Sequence, residues 1–152
     1  VLSGNGTGEA FLNRLQKGDR ITISQDLGHP VANKAKSVVG AGPLLVYAGR
    51  ATVHSVKEEI ASDIAYGRAP RTGVGVRADG TILIVVADGR SDTSVGMSLN
   101  ELASYFVRLK ADRAMNFDGG GSSEMVVNGS IMNEPSDGSE RPIRVALGVF
   151  QK

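Results

Sequence analysis

Arg113-Ala114-Met115-Asn116-Phe117-Asp118-Gly119-Gly120-Gly121-Ser122-Ser123 is an apolar approach that ends in an acid, three consecutive glycines and two hydroxyls. Glycine triplets add no side-chain packing and cost backbone entropy, so a folded chain keeps them for a backbone reason. The reason expected here is a turn whose bare N–H groups converge on something negative. Residues 114–117 read as a strand. Ser123-Glu124-Met125-Val126-Val127 leads away from the turn. The glycines therefore fall at a strand end, where a rigid element can hold a site.

Outward from this point the pattern reads as strands joined by tight turns. Residues 124–127 and 130–133 form a hairpin around Asn128-Gly129, and residues 73–77 and 81–88 form another around Asp79-Gly80. Ser98-Leu99-Asn100-Glu101 spells a capping box. Leu99, Leu102, Ala103, Phe106 and Leu109 continue it as an apolar helical stripe to about Lys110. Ser55-Val56-Lys57-Glu58 spells a second box, continued by Val56, Ile60 and Ile64 and stopped by Gly67 and Pro70. Residues 9–17 are expected as a short helix and residues 20–24 as a strand. Residues 26–36 read as loop. Gly40-Ala41-Gly42-Pro43 should separate two short strands within residues 37–48. Residues 134–142 read as a polar loop, and residues 144–150 alternate like a closing strand. The expectation is α+β, a mostly antiparallel mixed sheet with about three helices packed on it, in one domain over residues 1–152.

Composition narrows the function. The chain has 152 residues, 41% apolar and 22% charged, with a net charge of +1. That balance gives no polyelectrolyte basis for nucleic acid, and few aromatics without Trp give no stacking platform. No cysteine is present, which removes disulfides, thiolate metal sites and a Cys nucleophile. His29 and His54 lack partners at metal-ligand spacing, so a zinc site is not expected, and no motif in the chain calls for a cofactor. A calcium ion on Asp and backbone oxygens stays open. No apolar run approaches the ~18 residues of a membrane span. The chain begins Val1-Leu2-Ser3, without Met or a signal pattern, and reads as a processed product or a piece of a longer protein.

Val1-Leu2-Ser3-Gly4, Gly40-Ala41-Gly42-Pro43-Leu44-Leu45, Ala69-Pro70-Arg71-Thr72-Gly73-Val74-Gly75, Asp88-Gly89-Arg90, residues 116–123, Val126-Val127-Asn128-Gly129 and Glu140-Arg141-Pro142 occur in that order along the chain. Together they resemble the phosphodiester glycosidase domain family. The family's usual N-terminal portion, with an Asn-Gly-Gly-Phe-like motif, has no match here. Glu124 stands where the family usually has Thr or a small residue, and Gly73 where it often has Ala.

The resemblance implies hydrolysis between an anomeric carbon and a phosphodiester, releasing a sugar such as N-acetylglucosamine and a phosphate monoester. It also implies a secreted or cell-envelope location and a sugar phosphodiester or glycan as partner, with exopolysaccharide among the candidates. The leaving phosphate is already a stabilised anion, so the reaction needs an N–H-rich cationic cradle and a carboxylate near the anomeric carbon. Asp118 and Asp88 are the candidate carboxylates. Arg71, Thr72, Arg90, Asn116, Gly119, Gly120, Gly121, Ser122, Ser123 and Arg141 are the candidate binding residues.

Plainer roles stand beside these. The glycines also read as a tight connection, Asp118 as a turn cap, Asp88-Gly89 as a simple turn, Arg71 as the partner of a surface acid, and Arg90 and Arg141 as solvated surface cations. Two other functions compete. One is a non-catalytic binding module for anionic glycans or sugar phosphates. The other is a structural subunit whose open sheet edge recruits a partner chain or a second copy.

Overall fold

The computed structural model describes residues 3–150. The expectation for Val1-Leu2 lies outside these residues. The chain forms two compact units, residues 1–38 and 39–152.

The first unit carries two short helices, α1 (Thr7–Leu12) and α2 (Pro30–Lys34), and neither buries a residue. α1 is shorter than the helix expected over residues 9–17. α2 forms inside the segment read as loop because His29 Nδ1 accepts from Val31 N–H at 3.2 Å and Pro30 occupies the first helical position. Residues 20–24 are not a strand. Ile21 and Ile23 remain exposed, and an alternating segment with no neighbour to pair with gains nothing from extension.

The second unit holds a five-stranded sheet. Its strands are β1 (Leu44–Tyr47), β2 (Arg50–Ala51), β3 (Arg71–Val76), β4 (Ile82–Ala87) and β5 (Arg113–Asn116), in the order β2-β1-β5-β3-β4. Every pairing is antiparallel. A separate hairpin, β6 (Val126–Val127) with β7 (Ser130–Ile131), turns on Asn128 and Gly129, both with positive φ as a primed turn requires. The fold is thus the mixed α+β class expected. Among the described residues there are four α-helices, close to the number expected.

Helix α3 (Ser62–Tyr66) is much shorter than the one spelled by Ser55–Glu58. Glu58 does not close that capping box. Its Oε1 instead accepts from Leu44 N–H at 2.9 Å, and Glu59 follows with φ of 54°. A tertiary bond has outcompeted the local one. Only β1 forms within residues 37–48. The Gly42–Pro43 segment there becomes a clamp: Gly42 N–H donates to Asn116 O at 2.8 Å, and Asn116 N–H donates to Pro43 O at 3.0 Å. The closing strand expected over residues 144–150 also does not form. Val145, Leu147 and Val149 alternate as a strand would, but they stay exposed with no ladder beside them.

Helix α4 (Leu99–Arg108) starts at the Ser98–Glu101 capping box, with both reciprocal bonds present. It buries Leu99, Leu102, Ala103 and Phe106 against the sheet, and Leu45, Val46, Ala111 and Ala114 complete the core. Phe106 sets how closely helix and sheet approach. A methyl group on Gly73 would stand 2.6 Å from Phe106 Cε2, and one on Gly75 would stand 2.9 Å from Phe106 Cδ1. Gly73 is therefore fitted to the ring above it. Gly73→Ala should destabilise the chain by about 1–3 kcal/mol through overpacking. Adding Phe106→Leu should recover part of that loss. Urea unfolding of both variants checks this, and an unchanged midpoint for Gly73→Ala would mean that the ring is free to move aside.

Candidate functional site

The glycine turn sits where β5 ends beside the start of β3. Phe117 N–H donates to Thr72 O at 2.9 Å and Gly120 N–H to Pro70 O at 2.9 Å. Gly120–Ser122 make one turn of 3₁₀ helix, in which Ser122 N–H donates to Gly119 O and Ser123 N–H to Gly120 O, both at 3.1 Å. This corrects one expectation. The Gly120 N–H is not presented to a ligand, because the Pro70 carbonyl takes it. The N–H groups of Gly119 and Gly121 have no partner among the described residues.

Arg71 is buried at the first position of β3. Its Nε donates to Met97 O at 3.0 Å, and its Nη2 donates to Ile64 O and Gly67 O, each at 2.8 Å. These bonds tie the loop around α3 to the sheet and leave Nη1 as the free edge. No ion pair to Arg71 or Arg90 occurs among the described residues. Burial first, and the charge of Arg90 second, pull the Arg71 guanidinium below its ordinary pKa. Arg90 lies over the turn, with Nη1 3.2 Å from where a Gly120 side chain would begin. Two cations therefore stand near one another without a counter-ion, beside a glycine turn.

Asn116 and Thr72 serve the frame. Asn116 Nδ2 donates to Gly42 O and Phe117 O, each at 2.9 Å, while its Oδ1 is buried without a partner. Thr72 Oγ1 donates to the buried Ser123 Oγ at 3.2 Å. Ser122 is half-buried on the turn itself.

The two candidate carboxylates differ. Asp88, half-buried at the end of β4, accepts at Oδ1 from Asn133 Nδ2 at 2.9 Å and from Glu134 N–H at 3.0 Å. Asp118 is exposed, and its carboxylate makes no hydrogen bond among the described residues. Arg141 pairs with Asp137, Nη1 to Oδ2 at 3.2 Å, and the Asp137 carboxylate packs against Gly121.

Two residues at this end of the sheet escaped the sequence reading. Asn133 joins three parts: its Nδ2 reaches Asp88 and Ser123 O, and its Oδ1 accepts from Met125 N–H at 2.8 Å. Asp137 reaches Gly121 from the polar loop. Asn133 gave no signal beyond its place at the end of the strand expected over residues 130–133. Asp137 offered none beyond its place before Gly138. Two concavities elsewhere, one lined by Asp26 and Asn33 and the other by Arg68 and Tyr105, do not include the turn.

The family model for phosphodiester glycosidase matches residues 1–150. The SPbeta prophage-derived uncharacterized protein YomE of Bacillus subtilis is 42% identical over 49% of this chain, a stretch that covers 12% of YomE. The mouse N-acetylglucosamine-1-phosphodiester alpha-N-acetylglucosaminidase is 37% identical over 44% of this chain and 13% of its own length. The chain thus spans a small part of the curated relatives it matches. The catalytic domain of the zebrafish N-acetylglucosamine-1-phosphodiester alpha-N-acetylglucosaminidase, auto-inhibited by its pro-peptide, superposes with a TM-score of 0.57 at 25% identity, over 64% of this chain and 34% of that one. With motifs in family order, an antiparallel α+β frame and a family match along nearly its whole length, the chain belongs to the phosphodiester glycosidase family.

Proposed function

We propose that this chain hydrolyses the bond between the anomeric carbon of a sugar and a phosphodiester, with N-acetylglucosamine the first sugar to test and a surface or extracellular glycan as its setting. The observation that carries the reading is the uncompensated positive charge of Arg71 and Arg90 beside the glycine turn. A buried guanidinium is normally paired, because an isolated charge away from water is costly. A phosphate placed against Arg90, the Arg71 edge, the Gly119 and Gly121 N–H groups and the Ser122 hydroxyl would supply the missing anion.

In this assignment Asp118 supports the oxocarbenium-like transition state, as nucleophile or as base for water. It is exposed and unengaged, as a group that must reach substrate has to be. Asp88 is held by Asn133 and Glu134 and orders the far wall of the site. Arg141 adds a third cation. Little protonation of the leaving group is needed, since a phosphate monoester departs as a stable anion.

A second reading, binding without turnover, is favoured by Glu124, one residue beyond the buried Ser123. Partial loss of hydration first, and Glu140 second, raise its carboxyl above the ordinary value. A negative charge at that position opposes an anionic ligand and answers to no step of the hydrolysis.

Release of N-acetylglucosamine from UDP-N-acetylglucosamine separates the two readings. The parent should turn over. Asp118→Asn should lose about 10²–10⁴-fold in kcat while its unfolding midpoint stays put. Full activity in that variant would remove Asp118 from the chemistry, and saturable binding without release by the parent would favour the second reading. Glu124 gives a pH test. The folded chain holds its proton more tightly than the unfolded chain does, so this group's contribution to stability is complete below the ordinary carboxylate value and is lost as pH rises through the raised one. Glu124→Gln should therefore raise the urea midpoint at pH 7 and change it less at pH 4. Equal shifts at both pH values would rule out the charge as the cause.

A further inference from the structure

Asp137 lies in the polar loop, yet its carboxylate rests directly on Gly121. A methyl group on Gly121 would overlap both carboxylate oxygens. Gly121 is not among the positive-φ glycines, whereas Gly120 is, with φ of 59°. The bare backbone of residue 121 is the seat that Asp137 occupies, and a side chain there would displace the carboxylate. The same carboxylate holds Arg141 at 3.2 Å. One carboxylate thus separates the Arg141 guanidinium from the turn, while Arg90 stands over the neighbouring glycine.

We propose that Asp137 is a positioning residue that seats on Gly121 and holds Arg141 against the glycine turn to receive the phosphate; this rests on the phosphodiester reading above. An internal carboxylate beside an anion cradle has one competing role, that of a stand-in occupying the ligand's place. The geometry favours positioning. A stand-in would accept the N–H groups of Gly119 and Gly121, and Asp137 accepts neither. The pair is half-exposed, with side chains 50% and 41% accessible for Arg141 and Asp137. Such pairs add little to stability, so its consequence is geometric. A guanidinium carries five donors, so holding one nitrogen leaves the remainder of the fork for phosphate oxygens.

The test uses this chain and two readouts: calorimetric affinity for inorganic phosphate, and steady-state kinetics on UDP-N-acetylglucosamine. Asp137→Asn should weaken phosphate binding about tenfold, the size of one charge-assisted contact, and raise KM by a similar factor with kcat changed less than twofold. Arg141→Ala should do the same, and the double variant should be no worse than Arg141→Ala alone. Gly121→Ala, which unseats Asp137 without touching either charge, should reproduce the Asp137→Asn profile, and Asp137→Glu should restore part of the affinity. Tighter phosphate binding by Asp137→Asn would establish the stand-in role and overturn the proposal. So would additive effects in the double variant, or a parent that binds no phosphate. If the parent releases no sugar but Asp137→Asn still weakens phosphate binding, the hydrolase reading fails and the positioning role stands.

Discussion

Phe106 lying over the bare backbone of Gly73 and Gly75 is the contact on which the second unit depends. The ring is fully buried, and with Leu99, Leu102 and Ala103 it forms the apolar face that α4 lays on the sheet. A buried Phe contributes roughly 1.5–3 kcal/mol by removal from water, comparable with what one overpacked methyl would take away. The approach has a second effect. Gly73 pairs with Asn116 and Gly75 with Ala114, so the ring rests on the register that joins β3 to β5. That register brings Arg71 and Thr72 to the same end of the sheet as the glycine turn. Core packing and site geometry are therefore one constraint on this strand pair.

Arg71 shows how that end of the sheet becomes electrically distinctive. Burying a guanidinium costs several kcal/mol in practice. Its bonds to the Met97, Ile64 and Gly67 carbonyls, at roughly 1.5–3 kcal/mol each, offset the cost without neutralising the charge. Carbonyl dipoles satisfy hydrogens, whereas only an anion cancels the field. Arg90 adds to that field and lowers the Arg71 pKa further. Nearby carboxylates are otherwise engaged or open to water: Asp88 on Asn133 and Glu134, Asp137 on Arg141, Asp118 in solvent.

Features set by local chemistry were legible in the sequence. Asn128-Gly129 and Asp79-Gly80 dictate their turns because few residues tolerate that backbone, and Ser98–Glu101 caps α4 with its own side chains. Ser55–Glu58 has the same spelling and fails, because Glu58 finds the Leu44 N–H fourteen residues away. Residues 20–24 and 144–150 have strand periodicity but no neighbour, and periodicity cannot supply a partner. The site divides the same way. The turn itself was readable from three glycines. The Pro70 carbonyl that takes the Gly120 N–H, the Asn133 amide that spans three segments and the Asp137 seat all come from residues distant in sequence. Only folding brings them together.

The depleted cradle bears on which reaction the site suits. Of the five N–H groups from Gly119 to Ser123, three are taken by Pro70, Gly119 and Gly120 carbonyls. Two backbone donors remain, and an ordinary glycoside would need a proton delivered to its leaving alkoxide. The side chains at hand as cations are guanidiniums, which at working pH do not give up a proton. They suit a leaving group whose charge needs stabilising and whose oxygen needs no proton. A phosphate is such a group, and its several oxygens span the distance between separate cations as a single alkoxide cannot. The fixed positive charge, not the number of backbone donors, is therefore what favours the proposed phosphodiester chemistry at this turn.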